Sequence, residues 1–167
     1  LGYLCNLSCV HCHVNAGPQR TEQMDLETVD HVLALLDTQS VKILDLTGGA
    51  PELNPHFRYL VRAARGMGVR VIDRCNLTVL LEPGQEDLAA FLAQQQVEIS
   101  ASLPCYLQDN VEAQRGKGVY DTSIQALRQL GRQGRRVGQR AIDQDQPRRR
   151  PVDRQAASAQ RHRHQPV

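Results

Sequence analysis

Short β-rich runs alternate with stretches of helical periodicity along most of this chain, and that alternation restricts it to a layered α/β fold with parallel strands. Residues 1–4 read as the last piece of a strand. Asp25 caps a helix whose apolar residues Leu26, Val29, Val32, Leu33 and Leu36 recur at helical spacing. Residues 41–46 form a second strand. Asn54 and Pro55 then open a second helix, as cap and first position, that carries Phe57, Leu60, Val61 and Ala64 inward. Residues 69–73 make a third strand, 83–96 a third helix and 97–103 a fourth strand, after which Asp121 caps a helix running through Ile124, Leu127 and Leu130. Repeated strand–helix units imply right-handed crossovers with the helices packed outside the sheet.

In such folds chemistry collects at the carboxyl ends of the strands. The unusual residues of this chain fall there. Cys5-x-x-x-Cys9-x-x-Cys12 follows the first strand, Thr47-Gly48-Gly49-Ala50-Pro51-Glu52 the second, Arg74-Cys75-Asn76 the third and Pro104-Cys105-Tyr106 the fourth. Three cysteines on one short loop can hold three irons of a four-iron cube, which leaves the fourth iron open to a small molecule. The same residues admit other readings. Cys9-Val10-His11-Cys12-His13 matches the Cys-x-x-Cys-His haem attachment pattern, and Cys5, Cys9 and Cys12 with His11 or His13 could make a Cys3His zinc knuckle. The haem reading requires an exported protein and leaves Cys5 without a role. The zinc reading leaves the rest of the chain without one. Packing in a core does not suit three cysteines within eight positions of a polar loop. Gly48 and Gly49 would let backbone approach a ligand closely, and a tight strand-to-helix turn would want the same residues.

Taken in order, these segments resemble the radical S-adenosylmethionine (SAM) superfamily. The cysteine loop is similar to its cluster signature, and Gly48-Gly49-Ala50-Pro51 resembles its Gly-Gly-Glu-Pro element, departing from it at Ala50. The sequence leaves open whether Glu52 replaces the missing carboxylate. Ser102-Leu103-Pro104-Cys105 and Arg115-Gly116-Lys117-Gly118 resemble elements found after the fourth strand in much of the superfamily. The resemblance implies the N-terminal part of a partial (β/α)6 barrel. It also implies a [4Fe–4S] cluster on Cys5, Cys9 and Cys12, with S-adenosylmethionine contacted by Gly48, Gly49, Asn76, Ser102 and Arg115. An electron donor such as flavodoxin or ferredoxin follows from the same resemblance. Residues 1–18, 46–52 and 73–78 look like the arsenosugar biosynthesis radical SAM family, which implies adenosyl transfer to a dimethylated arsenic species as the small-molecule substrate. Trivalent arsenic is thiophilic, which makes Cys75 and Cys105 candidates to bind it.

Composition narrows the remaining classes. A net charge of +2 gives no footprint for nucleic acid or membrane surfaces, and no apolar run is long enough to span a bilayer. Five cysteines, an odd number with three clustered, fit thiols and metal ligands in a reducing compartment, hence the cytoplasm. The chain opens on Leu1 and not on methionine, so truncation at both ends of the family's core is expected. Residues 1–131 are read as an incomplete core domain. After Gly131 the apolar periodicity stops, and 132–167 reads as a disordered, basic, Gln/Arg-rich tail, with translation out of frame as the preferred explanation over a nucleic-acid arm.

Overall fold

The structure is a computed structural model that describes residues 1–103 and 105–133 and, for backbone only, 137–139. Its centre is a sheet of four parallel strands in the order β1-β2-β3-β4: β1 (Ile43–Leu46), β2 (Arg70–Asp73), β3 (Glu98–Ala101) and β4 (Val137–Gln139). Helix α1 (Leu26–Thr38) precedes β1, α2 (Phe57–Gly66) joins β1 to β2, and α3 (Leu88–Gln94) joins β2 to β3. Two helices, α4 (Gln108–Arg115) and α5 (Val119–Arg132), lie between β3 and β4. This is a parallel sheet with surrounding helices, an unclosed part of a (β/α) barrel as expected.

The apolar spacing explains the packing. On α2, Phe57, Leu60, Val61 and Ala64 are all buried, and Phe57 meets Phe91 of α3 with ring centroids 6.4 Å apart. On α1, Val29, Leu33 and Leu36 are buried, whereas Leu26 in the first turn is 47% exposed. Asp25 caps α1 by accepting the Thr28 amide at 2.8 Å. Bidentate ion pairs tie neighbouring strand regions, Arg74 to Asp45 and Arg70 to Glu98.

Several expectations are corrected. Residues 1–4 form no strand; Gly2 and Leu4 make isolated bridges to Gln23 and Gly17. Their carbonyls nevertheless accept the amides of Gly49 and Ala50 at 2.9 and 2.8 Å, so the segment lies along the loop after β1. Helix α2 begins two residues past Pro55, because the Asn54 side chain folds back to accept the His56 amide and donates to the carbonyls of Leu1 and Met24. The third helix begins at Leu88 and not near Pro83; before it, Thr78–Leu81 forms a 3-10 turn. Asp121 sits inside the first turn of α5, whose cap position is Gly118. Helix α4 was not foreseen: it buries only Val111 and so carries almost no apolar period. Val137–Gln139, inside the expected tail, pairs with β3 as a fourth strand. The expectation of disorder over 140–167 lies outside the described residues.

Candidate functional site

The carboxyl ends of β1, β2 and β3 and the cysteine loop enclose one cavity of about 390 Å³. Eight of the ten residues singled out from sequence line it: Cys5, Cys9, Cys12, Gly48, Gly49, Asn76, Ser102 and Arg115. His11, His13, Thr47 and Arg74 share the lining, and Leu7, Ala16, Ala101 and Leu103 give it an apolar wall.

Local hydrogen bonds set the cysteine loop. The Cys5 amide donates to the Gly17 carbonyl, the Cys12 amide to the Cys9 carbonyl, and the Ala16 amide to the Cys12 sulfur at 3.2 Å. The Val10 amide donates to the Gln114 carbonyl, which fastens the loop to α4. A side-chain network fixes the other flank. Asn76 donates from Nδ2 to Asn6 Oδ1 at 2.8 Å and to the Cys5 sulfur at 3.4 Å, while Asn6 donates to Thr78 Oγ1 and Glu82 Oε1. Asn6, Thr78 and Glu82 carried no signal in the sequence, since each acts through partners about 70 residues away.

The glycine pair is required by backbone contact. A Cβ on Gly48 would overlap the Gly2 carbonyl oxygen, and one on Gly49 the Leu4 carbonyl oxygen. Gly48 also adopts φ +143°, a region that disfavours other residues. The two glycines therefore let the segment leading into the cysteine loop lie against the end of β1.

Arg115 ends α4 and turns into the cavity, where Nη1 donates to the Ser102 carbonyl at 2.7 Å. Among the described residues its buried Nε has no acceptor, and buried His11 Nδ1 has no partner either. Burial lowers the Arg115 pKa, opposed by the nearby cysteines, but a guanidinium remains charged at any ordinary pH. Burial raises the Cys9 thiol, with Arg115 acting against it. Burial, Arg115 and His13 together lower His11. The cavity thus combines three thiols with a positive donor that has no anion among the described residues. That donor set fits an iron–sulfur cluster together with a carboxylate-bearing ligand.

Two expected residues lie elsewhere. Cys75 is fully buried beneath the cavity, and its sulfur accepts the Leu77 amide. Cys105 is half-buried past β3, where its sulfur accepts the Leu107 amide and Asn110 Nδ2. Neither lines the cavity. Glu52 is also buried away from it, next to Asp73 and Cys75, so it does not supply the carboxylate that Ala50 displaces.

The chain is similar to known proteins in sequence and in fold. The family model described as Radical SAM superfamily matches residues 1–142. The chain is 30% identical over 134 residues to mycofactocin maturase MftC of Mycolicibacterium smegmatis, covering 80% of this chain and 33% of that protein. It is 26% identical over 139 residues to Fe-coproporphyrin III synthase of Methanosarcina barkeri, covering 81% and 34%. It is also 38% identical over 61 residues to GTP 3′,8-cyclase of Chlorobaculum tepidum, covering 36% and 18%. The chain spans about a third of the length of the first two relatives. In fold it is similar to Streptococcus suis SuiB, with a TM-score of 0.68 and 15% identity over 87% of this chain and 32% of that one. Matched along most of its length by the family model, the chain belongs to the radical SAM superfamily.

Proposed function

We propose that Cys5, Cys9 and Cys12 hold three irons of a [4Fe–4S] cluster and that S-adenosylmethionine occupies the rest of the cavity. One observation carries this reading: in the cavity that the three thiols line, Arg115 buries a guanidinium Nε that has no acceptor among the described residues. A zinc knuckle on the same thiols, the alternative reading, leaves that buried guanidinium without a role.

When bound, the reduced cluster supplies the electron that cleaves S-adenosylmethionine to a 5′-deoxyadenosyl radical. The chain's own residues prepare that step. Arg115 offers Nε to the cofactor carboxylate, with the Ser102 carbonyl fixing the guanidinium through Nη1. Asn76 orients the Cys5 sulfur. Gly48 and Gly49 bring backbone to the cavity wall, and Leu7, Ala16, Ala101 and Leu103 exclude water from it. A flavodoxin or ferredoxin is the fitting class of electron donor, and the cytoplasm the fitting compartment. No helix of the described residues is long and apolar enough to cross a membrane.

The proposed substrate is a methylated arsenic species, supported by the resemblance of the cysteine loop, 46–52 and 73–78 to the arsenosugar family. Of the two outlying thiols, Cys105 is the partly exposed one and the better placed to meet a soft arsenic centre. The experiment is anaerobic reconstitution with iron and sulfide, then electron paramagnetic resonance of the reduced protein with and without S-adenosylmethionine. A cluster signal that shifts on cofactor addition is expected in the wild type and not in Arg115→Ala. Zinc retained in place of iron, or a cluster indifferent to the cofactor, overturns the reading. Adding dimethylated trivalent arsenic to the same sample should speed cofactor cleavage; an unchanged rate removes the arsenic substrate and leaves the cluster reading intact.

A further inference from the structure

Below the cavity, three groups that usually carry negative charge or bind metal converge where the fold calls for apolar side chains. Asp73 ends β2 and pairs in register with Leu46 of β1 and Ile99 of β3, both buried. Neighbours in register point to the same face of a sheet, so Asp73 occupies a core row between Leu46 and Ile99. Glu52, from the 3-10 turn after β1, and Cys75, two residues past Asp73, reach the same point. One ligand atom from each of the three lies within 4.8 Å of the other two. Asp73 and Cys75 are 0% exposed and Glu52 is 4%.

The hydrogen bonding is what separates this trio from other buried polar groups nearby. Asn54, Asn76 and Thr78 all have partners. The four carboxylate oxygens of Glu52 and Asp73 have no hydrogen-bond partner of good geometry among the described residues, and the groups close enough to share a proton with them are each other and the Cys75 thiol. Among the described residues no Lys or Arg pairs with them, and Arg74, which reaches the cavity lining, is engaged with Asp45. Burial raises both carboxyls, Asp73 well above the usual carboxylate range with Glu52 beside it adding to the shift, so ionising the pair calls for a compensating charge. A bound cation supplies what these oxygens lack.

We propose that Glu52, Asp73 and Cys75 form a buried structural site for one divalent transition-metal ion of the zinc class, separate from the cysteine loop. One thiolate with two carboxylates is a borderline donor set. It suits Zn²⁺, whereas Ca²⁺ and Mg²⁺ prefer six or more oxygens. The trio needs only a small contraction to reach the roughly 3.5 Å spacing of ligands on one tetrahedral ion. Because the site has no opening to solvent, metal enters as the chain folds, and metal binding is coupled to stability. The competing arrangement is a neutral trio that shares protons among the two carboxyls and the thiol.

The test uses the 167-residue chain carrying Cys5→Ser, Cys9→Ser and Cys12→Ser, which removes the other thiol cluster. After Zn²⁺ is supplied and the excess removed, elemental analysis should find one zinc per chain. A strong chelator should then lower the melting temperature. Adding Cys75→Ser or Glu52→Gln should cut retained zinc by at least tenfold, while Cys105→Ser leaves it in place. Co²⁺ in the same protein should give a thiolate charge-transfer band that Cys75→Ser abolishes. As a check independent of the serine background, wild-type chain loaded with its cluster should retain one zinc beside its iron and lose it with Cys75→Ser. Absence of retained zinc in both forms, with a melting temperature insensitive to chelator, overturns the site and assigns the trio to proton sharing.

Discussion

Among the described glycines, Gly49 is where an added Cβ would come closest to a neighbouring atom. Its amide donates to the Gly2 carbonyl, and a Cβ at the position would run into the Leu4 carbonyl, one residue before Cys5. Gly49→Ala should therefore push the whole entry to the cysteine loop aside, at about 2 kcal/mol for an overpacked contact. Iron bound after reconstitution should fall several-fold with it. Gly66→Ala is the control, since a Cβ there meets nothing within 4 Å and α2 gains up to about 1 kcal/mol. Iron content and melting temperature of the two variants decide the matter; equal iron content would contradict a steric role for Gly49. The pair of glycines was visible in the sequence, but its reason was not. A close approach to a ligand and a close approach to backbone leave the same letters, and only the position of residues 1–4 distinguishes them.

Among the elements, α1 is the one whose start depends on a single charged side chain. The Thr28 hydroxyl, and after it the Thr28 amide, hold the Asp25 carboxyl below its ordinary value. A depressed folded value means that the cap contributes fully above the unfolded pKa, and that its contribution is lost as pH falls through the folded one. At pH 7, Asp25→Ala should lower the melting temperature by roughly 3–5 °C. The difference from wild type should vanish below the ordinary carboxylate range. A difference that persists in acid would place the effect in packing and not in the cap. Helices α1 and α2 were legible because each buries a full apolar stripe. Helix α4 was not, because it buries Val111 alone while its end positions Arg115. An element that serves to deliver one polar residue leaves no apolar period to read.

For the molecule as a whole, β2 is the centre of the fold. It is hydrogen-bonded on both sides, by β1 and β3, and Val71 and Asp73 are fully buried. Hydrogen exchange followed by mass spectrometry should find the amides of β2 slower than those of α4 by at least about tenfold, in keeping with local opening of thinly packed segments. Comparable rates would show that the sheet is not the stable core. The sequence by itself determined the alternation of β1, α2, β2, α3 and β3, the parallel sheet and the placing of Gly48, Gly49, Asn76 and Ser102 at strand ends. Those follow from local periodicity and from the rule that loops after parallel strands share one rim. Only the tertiary structure decided that β4 extends the sheet into the expected tail, that Cys75 lies under the cavity and not at its mouth, and that Glu52 and Asp73 meet it there. Those contacts join residues 21 or more apart along the chain, or depend on which face of a strand end a side chain takes, and nothing in local spacing specifies either.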